Sequence, residues 1–233
     1  MSSAPTSEEI KNLFNQIAPI YDSLNDSLSF GIHRIWKSMT VKWSEPCTDS
    51  IALDLCCGSG DLTFLLAKQV TQGQVYGVDF SRQLLDVAED KALLKSSGQN
   101  IKWLEEDVLN LSFADNYFDC ATMGYGLRNM TDIPACLKEI KRVLKPQAKV
   151  AILDFHKPAN EMVANSQKWY LDNIVVNLAS FLGAKSEYAY IYASLERFPN
   201  DVEQIQLAYE AGFSQAKHYS LLGGIMGVLL LTK

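Results

Sequence analysis

The sequence predicts an α/β protein: an open sheet of five parallel strands plus a C-terminal antiparallel hairpin, with helices on both faces. Three observations carry that prediction. Short, continuously apolar stretches alternate with amphipathic ones from about residue 49 onward, the pattern of strands covered on both sides by helices. The first of these stretches, Ile51 to Leu55, runs into a glycine turn, Gly58-Ser59-Gly60, and then a helical pattern. The last two, His218 to Leu222 and Met226 to Thr232, are joined by Gly223-Gly224, a link short enough to force antiparallel pairing.

Taken in order, Ser7-Glu8-Glu9-Ile10 reads as a helix start, with Ile10, Leu13, Phe14 and Ile17 as one apolar stripe and Pro19 as its stop. Residues 20–33 mix turn formers with aromatics, and a helix follows from about Arg34 to Trp43. Strands are expected near 50–55, 74–79, 101–105, 118–123 and 149–154, with helices near 61–70, 81–95 and 132–144 between them. Leu144-Lys145-Pro146-Gln147 ends the last of these helices with a proline stop. Residues 160–182 form a long helical segment, and a final helix over 200–211 is capped by Gly212. This divides the chain into an N-terminal helical lid segment, 1–48, and a core, 49–233, with 156–199 inserted on the ligand side.

Composition narrows the function classes. At 233 residues with a formal charge of −6 and no Lys/Arg cluster, the chain reads as one domain without a nucleic-acid partner. The five cysteines are odd in number and contain no Cys-x-x-Cys, which suits buried thiols in a reducing compartment and no metal site. The polar start, with Glu8 and Glu9 and no Arg, resembles neither a signal nor a transit peptide. Leu221 to Leu231 is too short to span a bilayer. The expected location is cytoplasmic.

The glycine turn and its neighbours point to an adenosine-bearing cofactor. Gly58 and Gly60 let the backbone approach a ligand closely. Asp79, ending the second strand and followed by Phe80, is placed to accept from both hydroxyls of a ribose. A dinucleotide site would place a third glycine about three residues after Gly60, where Thr63 stands. Asp61, next to Gly60, would repel a pyrophosphate and attract an ammonium or sulfonium group. With Asp54 in the first strand, this set favours S-adenosylmethionine (SAM), and the strand order is that of a class I, Rossmann-like SAM-dependent methyltransferase. Asp107, after the third strand, can accept from the adenine amino group while the backbone at Val108 reaches a ring nitrogen.

Met123-Gly124-Tyr125-Gly126-Leu127-Arg128-Asn129 follows the fourth strand, where open α/β sheets place their ligand crevice. Arg128 is a fixed cation for a developing oxyanion or one half of a structural ion pair; Asn129 can orient an acceptor. The segment lacks the Asp/Asn-Pro-Pro-aromatic motif of enzymes that methylate amino nitrogens. Tyr21 and His33, in the N-terminal segment, and Asp154 and His156, at the end of the fifth strand, are the candidate proton acceptors. For His33 the alternative is lid packing.

The chain resembles the C-methyltransferases of ubiquinone and menaquinone biosynthesis along nearly its whole length. The carrying residues are Tyr21-Asp22-x-x-Asn25 with Ser29-Phe30-Gly31-x-His33-Arg34-x-Trp36-Lys37, joined by Gly126-Leu127-Arg128-Asn129 and the less specific Arg142-Val143-Leu144-Lys145-Pro146. Leu53 to Leu62, Thr122 to Asn129 and Gly223-Gly224-x-Met226-Gly227 look like the phylloquinone branch of cyanobacteria and plants. The resemblance implies SAM-dependent C-methylation of a demethylphylloquinol, a small-molecule isoprenoid naphthoquinol. It carries the family's cofactor contacts most directly onto Ser59, Asp79, Asp107 and Val108. Cys56 departs from the general fingerprint, which has glycine there, and at Gly124 any contact must be made by the backbone. In this setting the apolar residues of 160–182, Trp169 and Tyr170 among them, are core, or a groove for the isoprenoid tail, or a surface that docks weakly at a membrane. Arg128 is too basic to be the base, since its pKa exceeds ~12.

Overall fold

The computed structural model describes residues 6–17, 31–94, 100–175 and 193–233. Seven strands form one sheet in the order β3-β2-β1-β4-β5-β7-β6: β1 (Ile51–Leu55), β2 (Gln74–Asp79), β3 (Ile101–Glu105), β4 (Phe118–Gly124), β5 (Leu144–Phe155), β6 (Gln215–Leu221) and β7 (Met226–Thr232). β1 to β5 pair in parallel, and β7 pairs antiparallel with both β5 and β6. The helices named below are α1 (Ser7–Ile17), α2 (His33–Trp43), α3 (Asp61–Gln69), α4 (Arg82–Leu93), α5 (Ile133–Val143), α6 (Glu161–Tyr170) and α7 (Asp201–Glu210).

Alternate residues of each strand face opposite sides of the sheet, and both sides are covered. On one side Leu53, Leu55, Val150, Ile152, Leu229 and Leu231 join Leu137 and Ile140 of α5 and Ala208 of α7 in the main core. On the other side, Leu62, Leu66 and Ala67 of α3 meet Ala52, Val75, Cys120 and Val41 of α2. Farther along that side Trp36 and Trp43 of α2 pack on Leu153, Met226 and Val228. The strand order reverses between β1 and β4, so the loops after these two strands flank the crevice.

Local chemistry explains the boundaries. Ser81 and Asp132 cap α4 and α5 by accepting from Leu84 N and Ala135 N. Asn200 and Glu203 close a reciprocal capping box at α7. That helix ends in a Schellman turn: Gly212, at φ +90°, sends its N–H to Tyr209 O, and Phe213 N reaches Ala208 O.

Two expectations change. Pro146 does not precede the fifth strand but lies within it. β5 starts at Leu144, opposite Phe118, and its register slips before Cys120↔Lys149. Gln147 has φ +67° in this irregular stretch, where a residue without an N–H costs no ladder bond. Residues 160–182 begin as α6 and continue into a π-helical turn, Leu171–Val175. α6 buries none of its side chains, and Trp169 is 61% exposed, so core packing does not account for Trp169. Residues 176–192 lie outside the described residues, as do residues 18–30.

Candidate functional site: the crevice between the first and fourth strands

A cavity open to solvent lies at the carboxyl ends of β1, β2 and β4. Gly58, Asp79, Phe80, Asp107, Val108 and Gly124 line it, six of the nine residues expected to hold the cofactor. Asp79 is buried. Its Oδ2 accepts from Gly58 N at 2.8 Å and its Oδ1 from Ser81 N at 2.9 Å. The turn and the strand end are thereby fixed to each other, with the carboxylate on the cavity wall. Burial pushes the Asp79 carboxyl up to about 6, although these backbone N–H groups oppose the rise. Asp107 is exposed, and its Oδ1 accepts from Leu109 N at 2.9 Å.

The other three lie behind the cavity wall. Asp54 is fully buried; its two oxygens accept from Thr63 Oγ1 at 2.6 Å and Thr122 Oγ1 at 2.8 Å. It ties β1 to α3 and β4 beneath the turn, and its two hydroxyl donors occupy it there in place of a ligand. Burial lifts its pKa to about 7 despite the two threonines. Gly60 sits at φ +89°, and an added Cβ there would stand 2.7 Å from Trp103 Cη2 and 3.0 Å from Phe64 Cε2. Trp103 closes over Gly77 as well, so this indole clamps the turn from β3. Ser59 is buried, and its carbonyl accepts from Lys91 Nζ at 3.2 Å.

Asp61 differs from its expected role as a bare carboxylate awaiting a cation. Its Oδ2 is 2.7 Å from Lys37 Nζ of α2, and its Oδ1 is 3.9 Å from Lys91 Nζ of α4. Burial raises its pKa, but Lys37, Lys91 and His33 outweigh this and leave the carboxyl below its usual range.

The loop after β4 holds the candidate catalytic groups. Tyr125 lies at φ +61°, a conformation that costs a non-glycine residue about 1–2 kcal/mol. It turns its carbonyl toward Arg128 Nη1 at 3.1 Å and Asn129 Nδ2 at 2.9 Å. Asn129 reaches the cavity wall. Arg128 pairs with Asp154: Nη1 to Oδ1 is 2.5 Å, and Arg128 N donates to Oδ2 at 3.0 Å. Both side chains are almost entirely buried, at 7% and 2% exposure. Phe155 stacks on Tyr125 with centroids 5.2 Å apart, and the guanidinium lies 5.4 Å from the Phe155 ring.

Two further candidates are engaged elsewhere. Asp154, besides Arg128, accepts from Phe155 N at 2.8 Å, which leaves it poorly placed to take a proton from an acceptor. His156 is buried against His218, Nε2 to Nε2 at 3.2 Å, with Gln204 Nε2 3.4 Å from its Nδ1. Gln204 also donates to Pro199 O at 2.7 Å, so its amide donates to Nδ1 and the His156 Nε2–H points at His218. Burial drives His156 down to about 4, and His218 adds to the effect. His33 is buried on the same face of α2 as Lys37. Tyr21 lies outside the described residues.

Sequence reasoning placed Tyr125 in the segment that lines the crevice but missed Cys56 as a cavity-lining residue. Cys56 looked like a buried strand end; its φ of +51° swings it into the loop, where its Sγ would meet a Cβ on Gly126 at 2.8 Å. Burial raises its thiol pKa well above the usual range. It also missed Ile10, which α1 brings to the cavity; its apolar stripe marked a helix but not the partner it covers.

Known proteins resemble this chain in sequence and in fold. The model of the ubiE/COQ5 methyltransferase family matches residues 3–233. A protein of Trichormus variabilis named 2-phytyl-1,4-naphtoquinone methyltransferase is 56% identical over 226 residues, covering 97% of this chain and 99% of its own. One from Arabidopsis thaliana, named 2-phytyl-1,4-beta-naphthoquinone methyltransferase, chloroplastic, is 48% identical over 227 residues, covering 96% and 87%. A SAM dependent methyltransferase from Aquifex aeolicus shares the fold at a TM-score of 0.59 and 20% identity, over 82% of this chain and 85% of that one. The chain belongs to the ubiE/COQ5 methyltransferase family.

Proposed function

We propose that this methyltransferase uses SAM to methylate a ring carbon of 2-phytyl-1,4-naphthoquinol. The observation that carries the reading is the 56% identity, over 97% of the chain, to a protein named for that quinone. The crevice suits the cofactor. Asp79 offers two acceptor oxygens for ribose hydroxyls. Asp107 and Val108 stand together at the cavity edge for the adenine. Gly58, lining the cavity, leaves the backbone open to close approach, whereas the missing Cβ of Gly124 makes room for Leu62.

Bound there, SAM supplies an electrophilic methyl group. This chain must then make an aromatic carbon nucleophilic, which requires removing a proton from a ring hydroxyl and holding the resulting oxyanion. Asn129, on the cavity wall and fixed to Tyr125 O, orients the acceptor. Arg128 acts through its pair with Asp154, which locks the loop and sets the field at the cavity rather than presenting a lone cation. Of the four candidate proton acceptors, the ion pair occupies Asp154 and the histidine pair occupies His156, which leaves His33 and Tyr21. The reduced ring is the acceptor, because a quinone is itself an electrophile.

No helix among the described residues is long and apolar enough to cross a membrane. A phytyl-tailed acceptor resides in lipid, so weak contact with a membrane surface belongs to this reading; flotation with anionic liposomes tests it. The function is tested by anaerobic turnover with tritiated-methyl SAM on reduced 2-phytyl-1,4-naphthoquinone, demethylmenaquinol and a benzoquinol in parallel. Preferential labelling of the phytyl substrate supports the proposal. Equal labelling of both naphthoquinols removes the tail specificity, and labelling of none with SAM still bound removes the acceptor class.

A further inference from the structure

Lys37 has an unusual place for a lysine. It is 5% exposed, on a helix whose neighbouring residues Arg34, Ile35 and Ser38 face solvent. A buried ammonium is costly unless paired, and the pair in turn is weak evidence of net stabilisation, because burying both charges offsets their attraction. The partner, Asp61 Oδ2 at 2.7 Å, is the first residue of α3, immediately after the Gly58-Ser59-Gly60 turn. Gly60, the cap residue, makes no side-chain bond to that helix start. The Lys37 ammonium also lies 5.5 Å from the ring centroid of Tyr125, a cavity-lining residue of the loop after β4. Lys91 approaches from a third direction, donating to Ser59 O at 3.2 Å and standing 3.9 Å from Asp61 Oδ1. One side chain of α2 therefore touches both loops that flank the crevice, and His33 lies one turn earlier on the same buried face.

We propose that Lys37 is a positioning residue: its contacts with Asp61 and Tyr125 latch α2 to the two loops that flank the crevice, so that docking of this helix and retention of the cofactor are one coupled event. The inference rests on the SAM reading of the crevice but not on the identity of the methyl acceptor. The latch holds the start of α3 and the glycine turn before it against α2, with His33 one turn earlier on the same buried face. Released, α2 keeps its apolar contacts through Val41, Trp36 and Trp43 but loses its tie to the turn.

The test measures SAM affinity by calorimetry, and hydrogen exchange over α2 with and without S-adenosylhomocysteine, in the full chain. Lys37→Met is expected to weaken SAM binding about tenfold, a change of about 1.4 kcal/mol, and to abolish the ligand-induced protection of residues 33–40. Asp61→Asn is expected to do the same, and the double variant no worse than either single one, because both remove one contact. Lys37→Arg is expected to restore most of the affinity, which a purely structural loss would not allow. Circular dichroism and thermal melts check that each variant is folded. Wild-type affinity and protection in a folded Lys37→Met overturn the latch, as does strict additivity in the double variant. Absence of SAM binding by the wild type overturns the cofactor reading itself, so the two failures are distinguishable.

Discussion

Breaking the Arg128–Asp154 pair tests whether the loop after β4 is held by charge. The 2.5 Å contact is shielded from solvent on both sides. With charge centres roughly 4 Å apart and an effective dielectric of about 20, the attraction is about 4 kcal/mol. Removing one partner loses that attraction and leaves the other charge buried, for which about 3–5 kcal/mol is expected. Arg128→Met leaves Asp154 with two backbone donors, Arg128 N and Phe155 N, so its cost falls at the lower end, about 3 kcal/mol. Asp154→Leu strands a guanidinium and removes the acceptor for both N–H groups, so it falls at the upper end. The double variant removes both charges at once and is expected to be less destabilised than the sum by about 2–3 kcal/mol. Equilibrium urea unfolding of the four proteins gives the coupling directly. Single-variant losses under about 1 kcal/mol, adding in the double variant, would refute the reasoning: the pair would then be geometry without energetic weight.

Three further outcomes follow from the same structure. Gly60→Ala forces an alanine to φ +89° with its Cβ 2.7 Å from Trp103; strain and overpacking together predict a loss of about 2–4 kcal/mol in urea unfolding, with weaker SAM binding. Asp54 has a folded pKa raised to about 7, so the stability of its protonated form is complete below its unfolded value and is lost as pH rises through about 7, to a limit of about 4 kcal/mol. Asp54→Asn is therefore expected to melt at or above the wild-type temperature at pH 8, with the difference shrinking at pH 5; a variant equally destabilised at both would contradict it. His156 is displaced the other way, to about 4, so its contribution is present above its unfolded value and lost as pH falls through about 4. His156→Gln is expected to flatten the loss of melting temperature between pH 6.5 and 4, and an unchanged acid limb would count against the buried pair.

Much of the sheet was legible because its signals are local. β1 and its turn are adjacent in sequence, and apolar runs bounded by turn residues mark β2 to β4. Asp79, Asp107 and Gly124 followed, since a strand's carboxyl end is where such sheets place their ligands. What escaped were pairings across sequence. His156 looks like a rim base until His218, 62 residues away, takes its Nε2. Arg128 and Asp154 each read as a candidate alone, and only the parallel register of β4 and β5 brings them together as one pair. Lys37 meets Asp61 across 24 residues because α2 packs on α3, an arrangement that periodicity does not encode. Pro146 signalled a stop, but the slipped register of β5 absorbs it. The exposure of Trp169 removes the core reading from the three that its apolar segment left open.

The position of β7 between β5 and β6 bears on how the chain is made. A ribosome releases β1 to β5 first, and with them every strand that walls the crevice. β5 then waits with one edge unpaired while the long segment after it emerges. Its neighbour is not β6, the next strand to appear, but β7, which must insert between two strands already synthesised. Until residues 226–232 arrive, the nascent protein carries a raw sheet edge bearing Val150, Ile152 and Leu153, the kind of edge that recruits other chains. A ribosome stalled, or a message cut, just ahead of Met226 would thus release a chain with a nearly complete cofactor crevice and a strong tendency to aggregate.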